Sequence, residues 1–158
     1  MLTNNCFSFL NVITQYFTKT TSYINSVFSK ENDKFYYLSL IYDNDRGWSI
    51  HGLWPQYSKK SYPTYCKVVD FDINKLQPII EDLHKHWYSS IEKDDEFWKH
   101  EWIKHGSCMF CECDELNYFR RALELYITVA EADAIRLFKT SENKAMIPFD
   151  KSFNIIYE

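Results

Sequence analysis

The sequence predicts an α+β fold in which a small antiparallel sheet packs against several helices. Two observations lead there. An aromatic and aliphatic run at 35–42 is joined by turn residues to a second extended segment at 48–51, at hairpin distance. Beyond them, segments at 73–87, 94–105, 114–129 and 132–138 carry apolar residues at helical spacing. A chain of 158 residues is long enough for one domain with a hydrophobic core and short for two. We therefore read 1–158 as a single domain.

The N-terminus comes first. Phe9, Leu10, Ile13, Tyr16, Phe17, Ile24, Val27 and Phe28 fit a helical period, although β-branched neighbours oppose it. The segment 1–30 thus reads as helical, with no assigned role. After a polar break, 35–42 reads as a buried strand, and Asp43-Asn44-Asp45-Arg46-Gly47 has turn chemistry. The second strand runs from Trp48 to about His51, and Pro55 is expected to break it. In 73–87, Leu76, Ile79, Ile80 and Leu83 share one helix face, with Pro78 in the tolerant first turns. Asp94 or Asp95 can cap a helix reaching about His105, where Gly106 can end it. Asp114 can cap the next, with Phe119, Ala122, Leu123 and Tyr126 inward. A shorter helix covers 132–138, and the tail from Ala145 shows no clear period.

Composition narrows the function. Net charge is −4, which excludes a protein that coats nucleic acid with a basic surface but allows a local cationic pocket. Twelve Tyr, twelve Phe and five Trp supply core volume and stacking surface for bases. The three glycines, Gly47, Gly52 and Gly106, fall in or beside the motifs below. No stretch is long and apolar enough to cross a membrane. The N-terminus lacks a basic start and an unbroken apolar run, so it reads poorly as a signal peptide, and no Asn-x-Ser/Thr sequon occurs. Of the five cysteines, Cys6, Cys66, Cys108, Cys111 and Cys113, at least one is unpaired or bridges to another chain.

The segment Phe97-Trp98-Lys99-His100-Glu101-Trp102-Ile103-Lys104-His105-Gly106-Ser107-Cys108 carries the chemistry. On a helix, Phe97, His100, Glu101, Lys104 and His105 fall within an arc of about 140°. One face thus gathers two imidazoles, an ammonium, a carboxylate and an aromatic ring. RNA cleavage calls for such groups: a base for the ribose 2′-OH, an acid for the departing 5′-oxygen, and a cation where phosphate charge builds. Histidine suits both proton roles because its ordinary pKa of about 6.5 lies near neutrality. Two histidines on one short helix cannot easily straddle a phosphate, so a second element must contribute. His51-Gly52-Leu53-Trp54-Pro55 offers a histidine at a strand end, a glycine able to take a special conformation, and a tryptophan placed to stack on a base. His84 and His86 read as a solvated helix face.

His51-Gly52-Leu53-Trp54-Pro55 and the segment 97–108 together resemble the two active-site segments of the T2 family of ribonucleases, nearly residue for residue and in the same order. The resemblance extends over about 35–126 and includes Tyr118-Phe119-Arg120-Arg121-Ala122-Leu123. It implies a T2-ribonuclease-like fold and endonucleolytic cleavage of single-stranded RNA through a 2′,3′-cyclic phosphate to a 3′-phosphate. It implies RNA as partner, no cofactor and no metal, and a secreted or lumenal setting. Carried over by motif position, His105 would be the general base and His51 the general acid. His100 would hold the phosphate, and Glu101 and Lys104 would stabilise the transition state. Trp54 would stack on the base 5′ of the cut, with Gln56 and Tyr57, Tyr62 or Tyr65 completing that pocket; Phe97 would line the site for the following base. Cys66 and Cys108 would form the family's disulfide between the post-motif loop and the active-site helix.

The sequence also departs from the family pattern. Gln56 stands where the family often reads the first base with an acidic or amide residue, and an amide both donates and accepts. The family's Trp-Pro segment after the first strand is missing. The family continues with more strand and two further cysteine pairs where this sequence ends at Glu158. The chain therefore reads as a shortened member, with a smaller sheet or one completed by the N-terminal segment or a partner.

Three other readings stand beside this one. His105, Cys108, Cys111 and Cys113 have ligand types and spacings that could hold zinc. A catalytically inactive, RNA-binding descendant would bind without turnover. An interaction protein could keep the fold and use its aromatic surface.

Overall fold

The computed structural model describes residues 34–157. The helix read at the N-terminus and Cys6 lie outside the described residues. Strands β1 (Phe35–Asp43) and β2 (Gly47–Gln56) form the expected hairpin. Its turn is held by Asp43 Oδ1, which accepts from the backbone N–H groups of Asp45 and Arg46 at 2.9 Å each, and by Gly47 at φ +86°, a left-handed conformation in which a Cβ would be strained. Along β1, Tyr36, Leu38 and Leu40 are buried, while Tyr37 and Ile41 face the other side of the sheet, as strand alternation requires.

β2 corrects the sequence reading. It runs through Pro55 to Gln56 rather than ending near His51. The sheet order is β2-β1-β4-β3, so β2 is an edge strand, and an edge tolerates proline because half its N–H groups face no neighbour. A β-bulge interrupts the pairing. Ser39 is opposite Gly52 but Leu40 is opposite Ile50, which leaves His51 as the extra residue. Ile50 and Leu53 are both fully buried, three apart, a spacing that an unbroken two-residue alternation cannot deliver. The bulge absorbs the mismatch and turns His51 toward the opposite face.

The single helix read at 73–87 is two elements. A 3-10 segment covers Ile73–Ile79, capped by Asp72, and helix α1 follows at Ile80–His86. Pro78 lacks the N–H that an α-helical bond needs there, so α-geometry starts only beyond it. Helix α2 spans Asp94–Lys104, with His105 as its C-cap. Its N-cap is Lys93 rather than Asp94 or Asp95. The Asp94 carboxylate instead accepts from Ser89 N at 2.8 Å and meets His84 Nδ1 at 2.7 Å. His84 is therefore a tie between α1 and α2 as well as a solvated side chain. Helix α3 (Glu115–Glu131) starts as expected at Asp114, whose side chain accepts from Asn117 N. Phe119, Ala122, Leu123 and Tyr126 are all buried. Tyr118 and Tyr126 donate their hydroxyls to the carbonyls of Leu53 and Trp48, pinning α3 to β2.

The largest departure lies at the C-terminal end. Only Ile135–Phe138 is helical, as one 3-10 turn. β3 (Lys139–Ser141) and β4 (Lys144–Phe149) follow, and β4 pairs antiparallel with β1 from Tyr36↔Phe149 to Ile41↔Lys144. Ala145, Ile147 and Phe149 are buried on the core face. The chain's own 139–149 thus supplies two of the four strands among the described residues.

Candidate active site

A cavity of about 570 Å³ opens on the sheet face away from the main core. Its floor comes from β1 and β4 through Tyr37, Ile41 and Met146. Its walls are β2, with His51, Trp54 and Gln56, and α2, with Phe97, His100, Glu101, Lys104 and His105. The helical arc read from spacing is therefore the face turned to the cavity. Trp98 and Trp102, outside that arc, are buried in the core. Their indoles donate to the carbonyls of Trp87 and Asp70, which fixes the rotation of α2 about its axis. Tyr62 also lines the cavity. Tyr57 and Tyr65 do not; both are exposed, and Tyr57 packs near Phe110, with ring centroids 6.1 Å apart.

Trp54 organises the site. His105 stacks on its ring at 5.2 Å and 27°, and His51 meets it edge-on at 5.1 Å. Its indole Nε1 donates to Glu101 Oε2 at 2.8 Å. One tryptophan thus spaces two imidazoles and orients a carboxylate, and it stays half-buried in the cavity wall. Phe97 closes on the other side of His51 at 5.6 Å. Gly52 makes this crowding possible: a Cβ there would collide with Glu101 Oε2 and Trp54 Nε1. Its φ is not in the left-handed region, so close approach, not a special conformation, requires glycine. We expect Gly52→Ala to separate that hydrogen-bonded pair, shift the Trp54 indole N–H resonance and lower stability by about 1–3 kcal/mol, the usual cost of an added methyl in a packed site, whereas Glu131→Ala at an exposed position should do neither.

Burial and charge set the protonation states. His105 is held down to about 3, first by burial, then by the charges of Lys104, His100 and His51. His51 is held down to about 4 by burial and then by Lys144, Lys104 and His100. Neither Nδ1 has a hydrogen-bond partner among the described residues. Packing, not a carboxylate, therefore orients both rings, and nothing offsets the cations that disfavour imidazolium. Glu101 is pushed up to about 7 by burial, against the opposing effects of the Trp54 hydrogen bond and Lys104. A carboxyl that stays protonated in weak acid can donate to a phosphate oxygen instead of repelling it.

The Glu101 shift also bears on stability. The folded state holds a proton more tightly than the unfolded chain, whose ordinary value is 4.5. The stability this confers is present below 4.5 and is lost as pH rises through 7. Glu101→Gln keeps an acceptor for Trp54 and has no charge to bury. Its melting temperature relative to wild type should therefore rise between pH 5 and 8; a pH-independent difference would contradict the burial cost.

Cys66 and Cys108 form a disulfide with Cα atoms 5.0 Å apart. This removes Cys108 from the zinc set considered above. Cys111 and Cys113 are free thiols outside the cavity, and burial first pushes Cys113 up to about 12. No group of three or more His, Cys, Asp or Glu side chains among the described residues is arranged to hold a metal ion. The sequence reading missed Lys59, the β1 and β4 floor residues and the loop Tyr88–Glu92, all of which line the cavity. Alternation along β1 could have exposed Tyr37 and Ile41; the loop carries no comparable signal.

Comparison with known proteins adds the last element. Ribonuclease Oy of Magallana gigas is 40% identical over 93 residues, 54% of this chain and 44% of that protein. A ribonuclease-like storage protein of Panax ginseng is 36% identical over 77 residues, 48% of this chain and 32% of that protein. The chain thus spans under half the length of these curated relatives. Ribonuclease MC1 from bitter gourd seeds superposes with a TM-score of 0.66 at 19% identity, over 78% of this chain and 93% of that one, a likeness of fold. The sequence profile of the Ribonuclease T2 family matches residues 9–153, and the chain belongs to that family.

Proposed function

We propose that this chain is an endoribonuclease that cleaves single-stranded RNA by transesterification, without a metal. The observation that carries the reading is the pair of imidazoles, His51 on the β2 bulge and His105 at the end of α2, held against one indole in one cavity. They come from different elements, as an in-line displacement needs. His105 takes the proton of the 2′-OH, whose oxygen attacks phosphorus. His51 gives a proton to the departing 5′-oxygen. The product is a 2′,3′-cyclic phosphate and a free 5′-OH. In a second, slower step the roles reverse and water opens the ring to a 3′-phosphate. His100 and Lys104 hold the anionic oxygens, and Lys104 with the protonated Glu101 stabilises the extra charge of the pentacovalent state. Gln56 and Tyr62 flank the base 5′ of the cut, and Phe97 lies toward the following one. Crystal structures of ribonuclease MC1 variants hold 5′-UMP or 5′-GMP, which supports a nucleotide as ligand for this cavity.

Lys104→Ala should lower kcat more than it raises KM, because its charge acts mainly on the transition state. A change confined to KM would refute that role. An inactive RNA-binding descendant needs no proton donor and acceptor facing one cavity, and the crowding of His51, Trp54 and His105 would serve no purpose in it. Incubation with defined RNA in EDTA, followed by identification of the new ends, tests the reading. Cyclic or 3′-phosphate ends are expected, and a 2′-O-methyl sugar 5′ of the linkage should block the cut. Loss of activity to the chelator, or 5′-phosphate ends, would overturn the reading.

A further inference from the structure

The cavity does not end at the two imidazoles. Lys144 opens β4 and pairs with Ile41, two positions from the Met146–Ser39 pair. Side chains two apart share a sheet face, so Lys144 stands on the face of Ile41 and Met146, both of which line the cavity. It is exposed, and among the described residues no carboxylate pairs with it. It also lies to one side. Lys144 is the cation that acts most strongly on His51, yet it is not among those acting on His105, which are Lys104, His100 and His51.

The His51 side is where the leaving strand departs, because His51 protonates the 5′-oxygen of that strand. A longer RNA continues from there, and its next phosphate follows the 3′ nucleoside outward. Asp43, two positions beyond Ile41 on β1, shares this face and lines the cavity, as does Glu92 from the loop before α2. In a chain of net charge −4, such an exit would repel a polyanion unless a cation stood beside it. The Asp43 carboxylate accepts from two backbone N–H groups through Oδ1 and, among the described residues, forms no ion pair with Lys144.

We propose that Lys144 binds the phosphodiester on the 3′ side of the leaving nucleotide, so that RNA continuing past the cut is preferred over a dinucleoside monophosphate. The inference rests on the ribonuclease reading above, because that reading defines the leaving side.

The test compares wild type, Lys144→Ala and Lys144→Arg on three substrates: a dinucleoside monophosphate, the same unit extended by one nucleotide 3′, and the unit extended 5′. Lys144→Ala should lower the kcat/KM ratio of the 3′-extended substrate to the dinucleoside about three- to tenfold at low salt. The 5′-extended ratio should hold, and Lys144→Arg should restore the preference. The log–log salt slope for the 3′-extended substrate should flatten by about 0.7, one phosphate contact on a single strand. An effect routed through His51 moves all three substrates alike and leaves the ratios unchanged; that outcome overturns the proposal, as does equal loss of both extensions. Equilibrium binding of the same three ligands with a 2′-O-methyl sugar at the scissile position separates the two readings. A 3′ preference lost in Lys144→Ala upholds the contact even if wild type cleaves nothing, and its absence sinks the contact even if wild type cleaves well.

Discussion

On the proposed mechanism, His105→Ala should remove cleavage almost entirely, with a fall in kcat of about 10³–10⁴-fold, and His51→Ala should do the same. Proton transfer by a positioned side chain contributes roughly 10²–10⁴-fold. Here the upper range applies: among the described residues the other histidine of α2, His100, is exposed, lies five positions before His105 and is taken up with the phosphate in the proposed mechanism. The two losses should not add. Once one transfer fails, the concerted displacement has little use for the other, so the double variant should resemble either single one. The pH profile gives a second, independent reading. In the free protein His105 acts as base only above about 3, and His51 acts as acid only below about 4. The kcat/KM profile should therefore be a bell on the acid side of the ordinary histidine value, with the base limb at lower pH. A bound phosphate adds negative charge beside both rings and raises both values, so the kcat optimum should lie at higher pH than that of kcat/KM. A bell centred above pH 7 in kcat/KM, or a His105→Ala variant retaining a tenth of wild-type kcat, would remove His105 from the base role.

The grouping of the candidate site's residues was legible in the sequence because they lie on regular elements. Residues at positions 97, 100, 101, 104 and 105 share a helix face by spacing alone, and that face is the one the structure turns to the cavity. The hairpin was legible from its turn chemistry. The sheet's other half was not, for a physical reason. In β4 the buried Ala145, Ile147 and Phe149 alternate with Met146 and Pro148, which are apolar as well, so the two-residue period vanishes into a uniform run. β2 misled differently. Its bulge breaks the alternation at His51 and its proline looks like a terminator, yet an edge strand accommodates both. The disulfide could not have been drawn from spacing; it came from family resemblance. The tie of Trp54 to His105 and Glu101 depends on three-dimensional crowding around Gly52, which no one-dimensional pattern encodes.

Loss of the Cys66–Cys108 bridge should be the largest single change in stability. The cysteines are 42 residues apart, and closing a loop of that length in the unfolded chain is worth about 4 kcal/mol in the chain-entropy account. For a domain of this size that corresponds to a fall in Tm on the order of 10 °C. The double variant Cys66→Ala with Cys108→Ala is the cleaner measurement, because a single substitution leaves a reactive thiol. The bridge also holds one wall of the site. Tyr65 N donates to Lys104 O at 2.9 Å and Cys66 N to Ser107 Oγ at 3.1 Å, so the loop that carries Tyr62 is fastened to the end of α2 by the disulfide and two hydrogen bonds. The two imidazoles do not depend on it, since His105 is stacked on Trp54 and His51 sits on the hairpin. Below its melting temperature the bridge-less variant should therefore show a raised KM with kcat changed less. A variant with unaltered Tm would mean that the loop is held by its packing alone; one that lost kcat while keeping KM would mean that the bridge positions the imidazoles rather than the base-binding wall.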